Sequence, residues 1–224
     1  MWKLIPVNER QIPLKLENNP DIYSDFGSRL GAMLLDILIL CPVTIPLLII
    51  NSHSMTLHYY TLVFNLMAAV FYMVYLPKRY GGTPGKLITG LKIVKIDGSD
   101  ISWKEAFLRY SVTLGITLVT ALSTFAALMQ ADAETYNEMG WIEQNQYLQS
   151  FSPVFQSILI WLNMAWLLAE VITYFTNDRK RALHDMLGET VVVKKIYDVK
   201  IKEFMAKASA GSIEPASTDK ARTI

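Results

Sequence analysis

Ser28-Arg29-Leu30-Gly31-Ala32-Met33-Leu34-Leu35-Asp36-Ile37-Leu38-Ile39-Leu40 opens an apolar run that continues to Ile50. A helix of about 20 such residues crosses the hydrocarbon core of a bilayer. This run carries an arginine at its mouth and an aspartate two turns further in. Arg29 and Asp36 are seven residues apart, so they fall near one helical face, roughly 10 Å apart along the axis. A carboxylate at that depth costs about 2.5 to 3.5 kcal/mol on insertion scales, so it faces protein, a partner charge or water rather than lipid.

Working outward, the same apolar pattern recurs three times. The sequence predicts an all-α integral membrane protein with four spans, at about 30–50, 59–76, 110–129 and 154–175. Pro42 and Pro46 are expected to kink the first. Charge is segregated rather than scarce. From Leu30 to Pro77 the one charged residue is Asp36, and from Tyr110 to Asp178 there is no lysine or arginine. Four lysines and arginines precede Leu30, seven lie between Lys78 and Arg109, and ten follow from Arg179, together all 21 of the chain. Under the positive-inside rule this partition places both termini in the cytoplasm, in a plasma (inner) membrane. The loops at 51–58 and 130–152 then lie outside and read as polar segments.

Between the second and third spans, Gly81-Gly82-Thr83-Pro84-Gly85 forces turns. Leu91 to Ile96 is β-prone, and Asp97-Gly98 is a hairpin signal. A strand over about 88–96 is expected to pair with one over 190–195 as a small cytoplasmic β-element. Ser102 with Glu105 three residues on matches a capping box that opens the next helix. Three segments follow: an irregular arm over 1–22, a membrane domain over 23–195, and a basic tail over 196–224. The tail has a short helix at its start and a disordered composition from Gly211.

Depth arithmetic groups the polar residues of the spans. Asp36 lies seven residues inside Arg29, and Glu170 lies seven residues before Asn177 at the end of span four. Both carboxyls therefore sit roughly 10 Å below one surface. Were those spans neighbours, the pair would share a proton. Asn65 and Asn163 sit about 18 to 21 Å deep by the same rise and are placed to hydrogen-bond across helices. One reading is a proton or small-cation site of Asp36, Glu170, Asn65 and Asn163, with Arg29 setting the charge of Asp36. The other is that Arg29 snorkels and pairs locally while Glu170 is wetted at the interface. His184-Asp185 is read as structural, its carboxylate tying this segment to Arg181, Arg109 or Arg29.

Other chemistry is excluded on spacing. The glycine-rich loop lacks the first glycine and the hydroxyl of a phosphate-binding loop, at Tyr80 and Leu87. His53 and His58 lack companion ligands for a metal. Cys41 is single. No nucleophile cluster, dinucleotide fingerprint or haem pattern occurs. The expectation is a protein that is not an enzyme, without cofactor, metal or nucleic acid.

Three blocks together resemble the RDD family of membrane proteins, named for one arginine and two aspartates. Arg29 and Asp36 match the motif of the first helix. Asp185, in Arg181-Ala-Leu-His184-Asp185-Met-Leu-Gly-Glu-Thr190, matches the second aspartate. The third block runs from Gly82-Thr83-Pro84-Gly85-Lys86-Leu87 through Leu91-Lys92-Ile93-Val94 to Asp97-Gly98 and Leu108-Arg109. The resemblance spans about Tyr23 to Lys195. It implies a multi-pass membrane domain, with cation/proton antiport proposed for some members and an accessory or scaffold role for others. Glu170, Asn65, Asn163 and the acidic 130–152 loop stand outside the motif. Two functions follow as expectations. One is movement of a monovalent cation or proton by a homo-oligomer. The other is a non-catalytic membrane adaptor whose cytoplasmic loops bind a protein.

Overall fold

The computed structural model describes residues 11–12 and 21–211. Most of the N-terminal arm, and residues 212–224 with their disordered composition, lie outside the described residues. Four helical stretches are long and apolar enough to cross a membrane: Phe26–His53, Met55–Ile88, Trp103–Gln130 and Pro153–Thr176. The first is helix α1 (Phe26–His53), which continues through Pro42 and Pro46. Its N-cap is Asp25, whose Oδ1 accepts the Ser28 amide at 2.7 Å.

Ser54 alone separates α1 from α2 (Met55–Val70), so the expected polar loop at 51–58 is almost wholly helical. A five-residue π-helical turn, Phe71–Tyr75, carries α2 into α3 (Leu76–Tyr80). The π geometry falls just before Pro77, which has no N–H to donate and crowds the preceding turn. Gly81, at φ 81°, ends this helix in the left-handed conformation that glycine adopts without strain.

The chain then folds back on itself at one end of the bundle. Helix α4 (Pro84–Ile88) leads into β1 (Leu91–Lys95), and the Asp97-Gly98 turn leads into α5 (Trp103–Gln130). The capping box opens α5 as expected: the Ser102 amide donates to Glu105 at 2.8 Å. Helix α8 (Pro153–Thr176) returns to the same end. There α9 (Leu183–Leu187), β2 (Thr190–Lys194) and α10 (Asp198–Gly211) complete the chain.

Strands β1 and β2 are antiparallel, Leu91 opposite Lys194 and Lys95 opposite Thr190. Residues 22–24 pair along the other edge of β2, through the Ser24 amide to Val192 O (3.0 Å) and the Lys194 amide to Ile22 O (2.9 Å). A two-stranded ribbon is marginal alone and needs cover. Successive residues alternate faces, and both faces are covered. Leu91, Ile93 and Val192 pack with Ala32, Val74 and Ala106 of the bundle. Val94, Val191 and Val193 pack with Ile12, Ile22 and Ile201. The arm and the segment after 195 thus both contribute to this core.

At the far end, the segment read as a polar loop over 130–152 is largely helical. It holds two helices, α6 (Ala133–Glu138) and α7 (Trp141–Ser150). Their starts are fixed by acidic caps, Asp132 on the Thr135 amide (2.8 Å) and Glu143 on the Gly140 amide (3.0 Å). Tyr136 is buried with Ala127, Leu128 and Leu148. The Tyr136 hydroxyl meets His58 Nδ1 at 2.7 Å, and His53 Nδ1 meets Ile49 O at 2.8 Å. Each histidine therefore has a local partner.

Candidate functional site

The polar residues of the spans fall into three groups. The first surrounds Asp36. Its Oδ1 accepts the Tyr72 hydroxyl at 2.5 Å and the Gly85 amide at 2.6 Å, and its Oδ2 accepts the Thr83 hydroxyl at 2.6 Å. Thr83 is the N-cap of α4 and Pro84 its first residue, the arrangement that favours a helix start. The carboxylate thus satisfies donors that the first turn of α4 leaves open, and a negative charge is favoured there. Tyr72 reaches it from the π-helical turn. Gly85 makes the approach possible: a Cβ on it would stand 2.2 Å from Ala32 O and 2.7 Å from the Asp36 carboxyl carbon.

The second group is a buried knot at the sheet end, built on Asp185. The Arg29 Nη1 donates to Asp185 Oδ2 at 2.7 Å, and the Arg109 Nη1 donates to Oδ1. The side chains of Arg109 and Asp185 are fully buried. The Ala182 amide is a third donor to the carboxylate, bonding Oδ2 at 3.0 Å. Arg29 also donates from Nε to Ser24 Oγ and from Nη2 to Lys180 O, both at 2.7 Å, with its guanidinium 5.0 Å from the Tyr174 ring centre. Arg181 bonds backbone, to Thr190 O at 2.9 Å and Asp185 O at 3.1 Å. Gly188 lets this segment lie against α5, since a Cβ there would stand 2.9 Å from Arg109 Cβ.

His184 extends the knot. Arg109 Nη2 lies 2.8 Å from His184 Nε2, and His184 Nδ1 lies 2.5 Å from Glu170 Oε2. A guanidinium can only donate. Nε2 is therefore the acceptor, the ring is neutral, and its proton sits on Nδ1 facing Glu170. The His184 amide donates to Glu170 Oε1 at 3.1 Å.

Electrostatics agree with the geometry. Burial pushes the Asp185 carboxyl up, but the guanidinium of Arg109 and then that of Arg29 outweigh it and hold it well below the usual range. Burial, then the charge of Arg109, pushes the His184 imidazole below its ordinary 6.5.

The structure thus distributes the expected site residues differently from the helical-spacing argument. Arg29 bonds Asp185 rather than Asp36. Asp36 and Glu170 hold separate partners, α4 with Tyr72 for one and His184 for the other. Asn65 and Asn163 do come together, in a third group. They line a cleft of about 380 Å³ with Leu62, Thr117, Thr120 and Thr124. Each threonine hydroxyl donates to a carbonyl of its own helix, at Thr113, Ile116 and Thr120, and Asn163 Nδ2 donates to Leu159 O. Each threonine has spent its one O–H and turns only acceptor capacity toward the cleft, while the two asparagine amides bring both carbonyl acceptors and N–H donors. Sequence reasoning missed Tyr72, Thr83 and Gly85. The Thr83-Pro84 pair carried the signal of a helix start, and nothing local marked its target.

Four membrane-length helices, tied at one end to a sheet by buried arginine–aspartate pairs, define a polytopic membrane protein. The family model described as "RDD family" matches residues 23–189, and the chain belongs to that family. It is 33% identical over 129 residues to a Bacillus subtilis (strain 168) protein described as "Uncharacterized protein YckC". The match covers 51% of this chain and 78% of that relative. No solved structure matches the chain.

Proposed function

We propose that this RDD protein moves a small monovalent cation across the membrane, and that the motif residues brace the path rather than form it. The observation that carries the reading is the uncharged polar cleft of Asn65, Asn163, Thr117, Thr120 and Thr124, in which three threonine oxygens and two amide carbonyls can accept. Neutral oxygens at membrane depth suit a dehydrated monovalent ion. A doubly charged ion needs carboxylates to offset its larger desolvation cost. Asp36 serves as the cap of α4. Both termini are read as inside from the lysine and arginine partition, and the chain is read as a non-enzyme of the plasma membrane. It is read as a homo-oligomer because four helices alone form a thin path.

The test is ion flux in proteoliposomes. The proposal expects sodium or potassium flux in the parent protein, and a loss of at least tenfold in Asn65→Leu/Asn163→Leu with unchanged thermal stability. No flux of sodium, potassium or protons in the parent would sink it.

One observation favours an adaptor instead. Helix α10 buries Ile201 but leaves Val199 64% exposed, and Ile196 just before it 74% exposed. They stand beside Lys195 and Lys200, as on a surface that takes a protein partner. Specific capture of a protein by the sheet end, lost in Ile196→Ser/Val199→Ser, is the result this reading expects.

A further inference from the structure

Where α3 and the start of α5 meet, cations and aromatic rings are arranged by depth. Lys78 Nζ lies 5.8 Å from the ring centre of Trp103. Tyr75 lies 6.1 Å from the same ring, and Phe71 stacks on Tyr75 at 5.1 Å with planes 15° apart. Phe71, Tyr75, Trp103 and Phe107 are all exposed large apolar groups. On the α2–α3 stretch the order from membrane depth to the sheet end is Phe71, Tyr75, then Lys78 and Arg79. On α5, which runs the opposite way, Phe107 lies one turn deeper than Trp103. The α2–α3 stretch therefore presents rings below and charge above over roughly 10 Å of rise, and α5 sets two further rings beside it.

Among the described residues the charge is uncompensated: neither Lys78 nor Arg79 forms an ion pair, and the nearby carboxylates are engaged elsewhere. Glu105 holds the Ser102 amide and Lys95, at 2.8 and 3.6 Å. Asp100 holds Lys92 and Lys202, at 2.8 and 3.2 Å. The ring face of Trp103 fixes the ammonium of Lys78 at the level where tryptophan prefers to sit.

We propose that this corner seats one anionic phospholipid. Lys78 and Arg79 take the phosphate of the headgroup, and the column of Phe71, Tyr75, Trp103 and Phe107 takes an acyl chain. A headgroup with net negative charge satisfies both cations, whereas a zwitterionic one brings its own ammonium beside Lys78. A lysine or arginine near an anionic surface is worth on the order of fivefold in affinity. The two together predict a preference of about 20-fold. The proposal stands apart from the cation path and requires none of its residues.

The experiment uses the full chain in nanodiscs of equal phosphatidylglycerol and phosphatidylcholine, with retained lipid counted by native mass spectrometry. The parent is expected to retain phosphatidylglycerol at least tenfold over phosphatidylcholine. Lys78→Gln/Arg79→Gln falls to parity, and Lys78→Arg retains most of the preference. Lys200→Gln/Lys207→Gln, on exposed α10, leaves it unchanged. Equal retention of the two lipids by the parent overturns the proposal. So does displacement of the lipid by millimolar inorganic phosphate, which would mark a site for free anions. Should the double variant fail to insert, the parent's retention ratio decides alone.

Discussion

Replacing Gly85 with alanine tests the contact on which the Asp36 arrangement depends. The added carbon would stand 2.2 Å from Ala32 O, about 1 Å inside ordinary contact, so α4 must back away from α1 by that amount. The Gly85 amide now meets Asp36 at 2.6 Å. Moved by about 1 Å it passes beyond the range of a hydrogen bond. Overpacking costs about 1–3 kcal/mol, and loss of a hydrogen bond to a charged group costs about 1.5–3 kcal/mol. The expected destabilisation is therefore about 3–5 kcal/mol, in the range reserved for a few specific mechanisms. The assay is reversible unfolding of the detergent-solubilised protein, with Gly115→Ala as an internal control. A Cβ at Gly115 meets nothing within 4 Å, so that helical substitution should gain about 0.4–1 kcal/mol. If Gly85→Ala unfolds within 1 kcal/mol of the parent (roughly a fivefold change in the equilibrium), the reasoning fails.

The knot gives two further predictions. Asp185→Asn leaves buried Arg109 facing an amide, and should cost about 3–5 kcal/mol. Arg29→Met/Asp185→Leu/Arg109→Met should recover most of that loss, because an apolar replacement avoids burying charge; an equally unstable triple variant would show that the network does more than offset its own burial. Stability should also fall with acid, read as unfolding free energy against pH. His184 is held below its ordinary 6.5, so the unfolded chain binds the extra proton and stability declines as pH drops below 6.5. Asp185 adds a second decline below its ordinary 3.8, since its carboxyl is depressed in the fold. A His184→Gln variant should have a shallower first decline and keep the second.

The four spans were legible because their residues answer to lipid one at a time, and the Ser102–Glu105 cap because its partners are neighbours. The strand pair was legible from β-branched runs at Leu91–Lys95 and Thr190–Lys194. The site was less so. Arg29 and Asp36 share a helical face, which made a pair of them on spacing alone. Yet Arg29 sits at the mouth, where its long side chain turns to the sheet end and Asp185, 156 residues away. Asp36 lies two turns deeper, where α4 tucks in. That contact rests on a glycine read as a turn residue. Its small size matters only once α1 stands against it. Glu170 likewise finds His184, which comes from a segment whose position the sheet determines. Asn65 and Asn163 were given similar depths by counting residues from the same edge, and that match survives the π-helical turn between Asn65 and the edge.

The central claim is that the three motif residues form two separate braces, and a pair of double-mutant cycles tests it most directly. Unfolding free energies of Arg29→Met, Asp185→Asn and Asp36→Asn, singly and in pairs, yield two coupling energies. The expected values are about 1–3 kcal/mol between Arg29 and Asp185, and under about 0.5 kcal/mol between Arg29 and Asp36. A coupling between Arg29 and Asp36 as large as that between Arg29 and Asp185 would contradict the account.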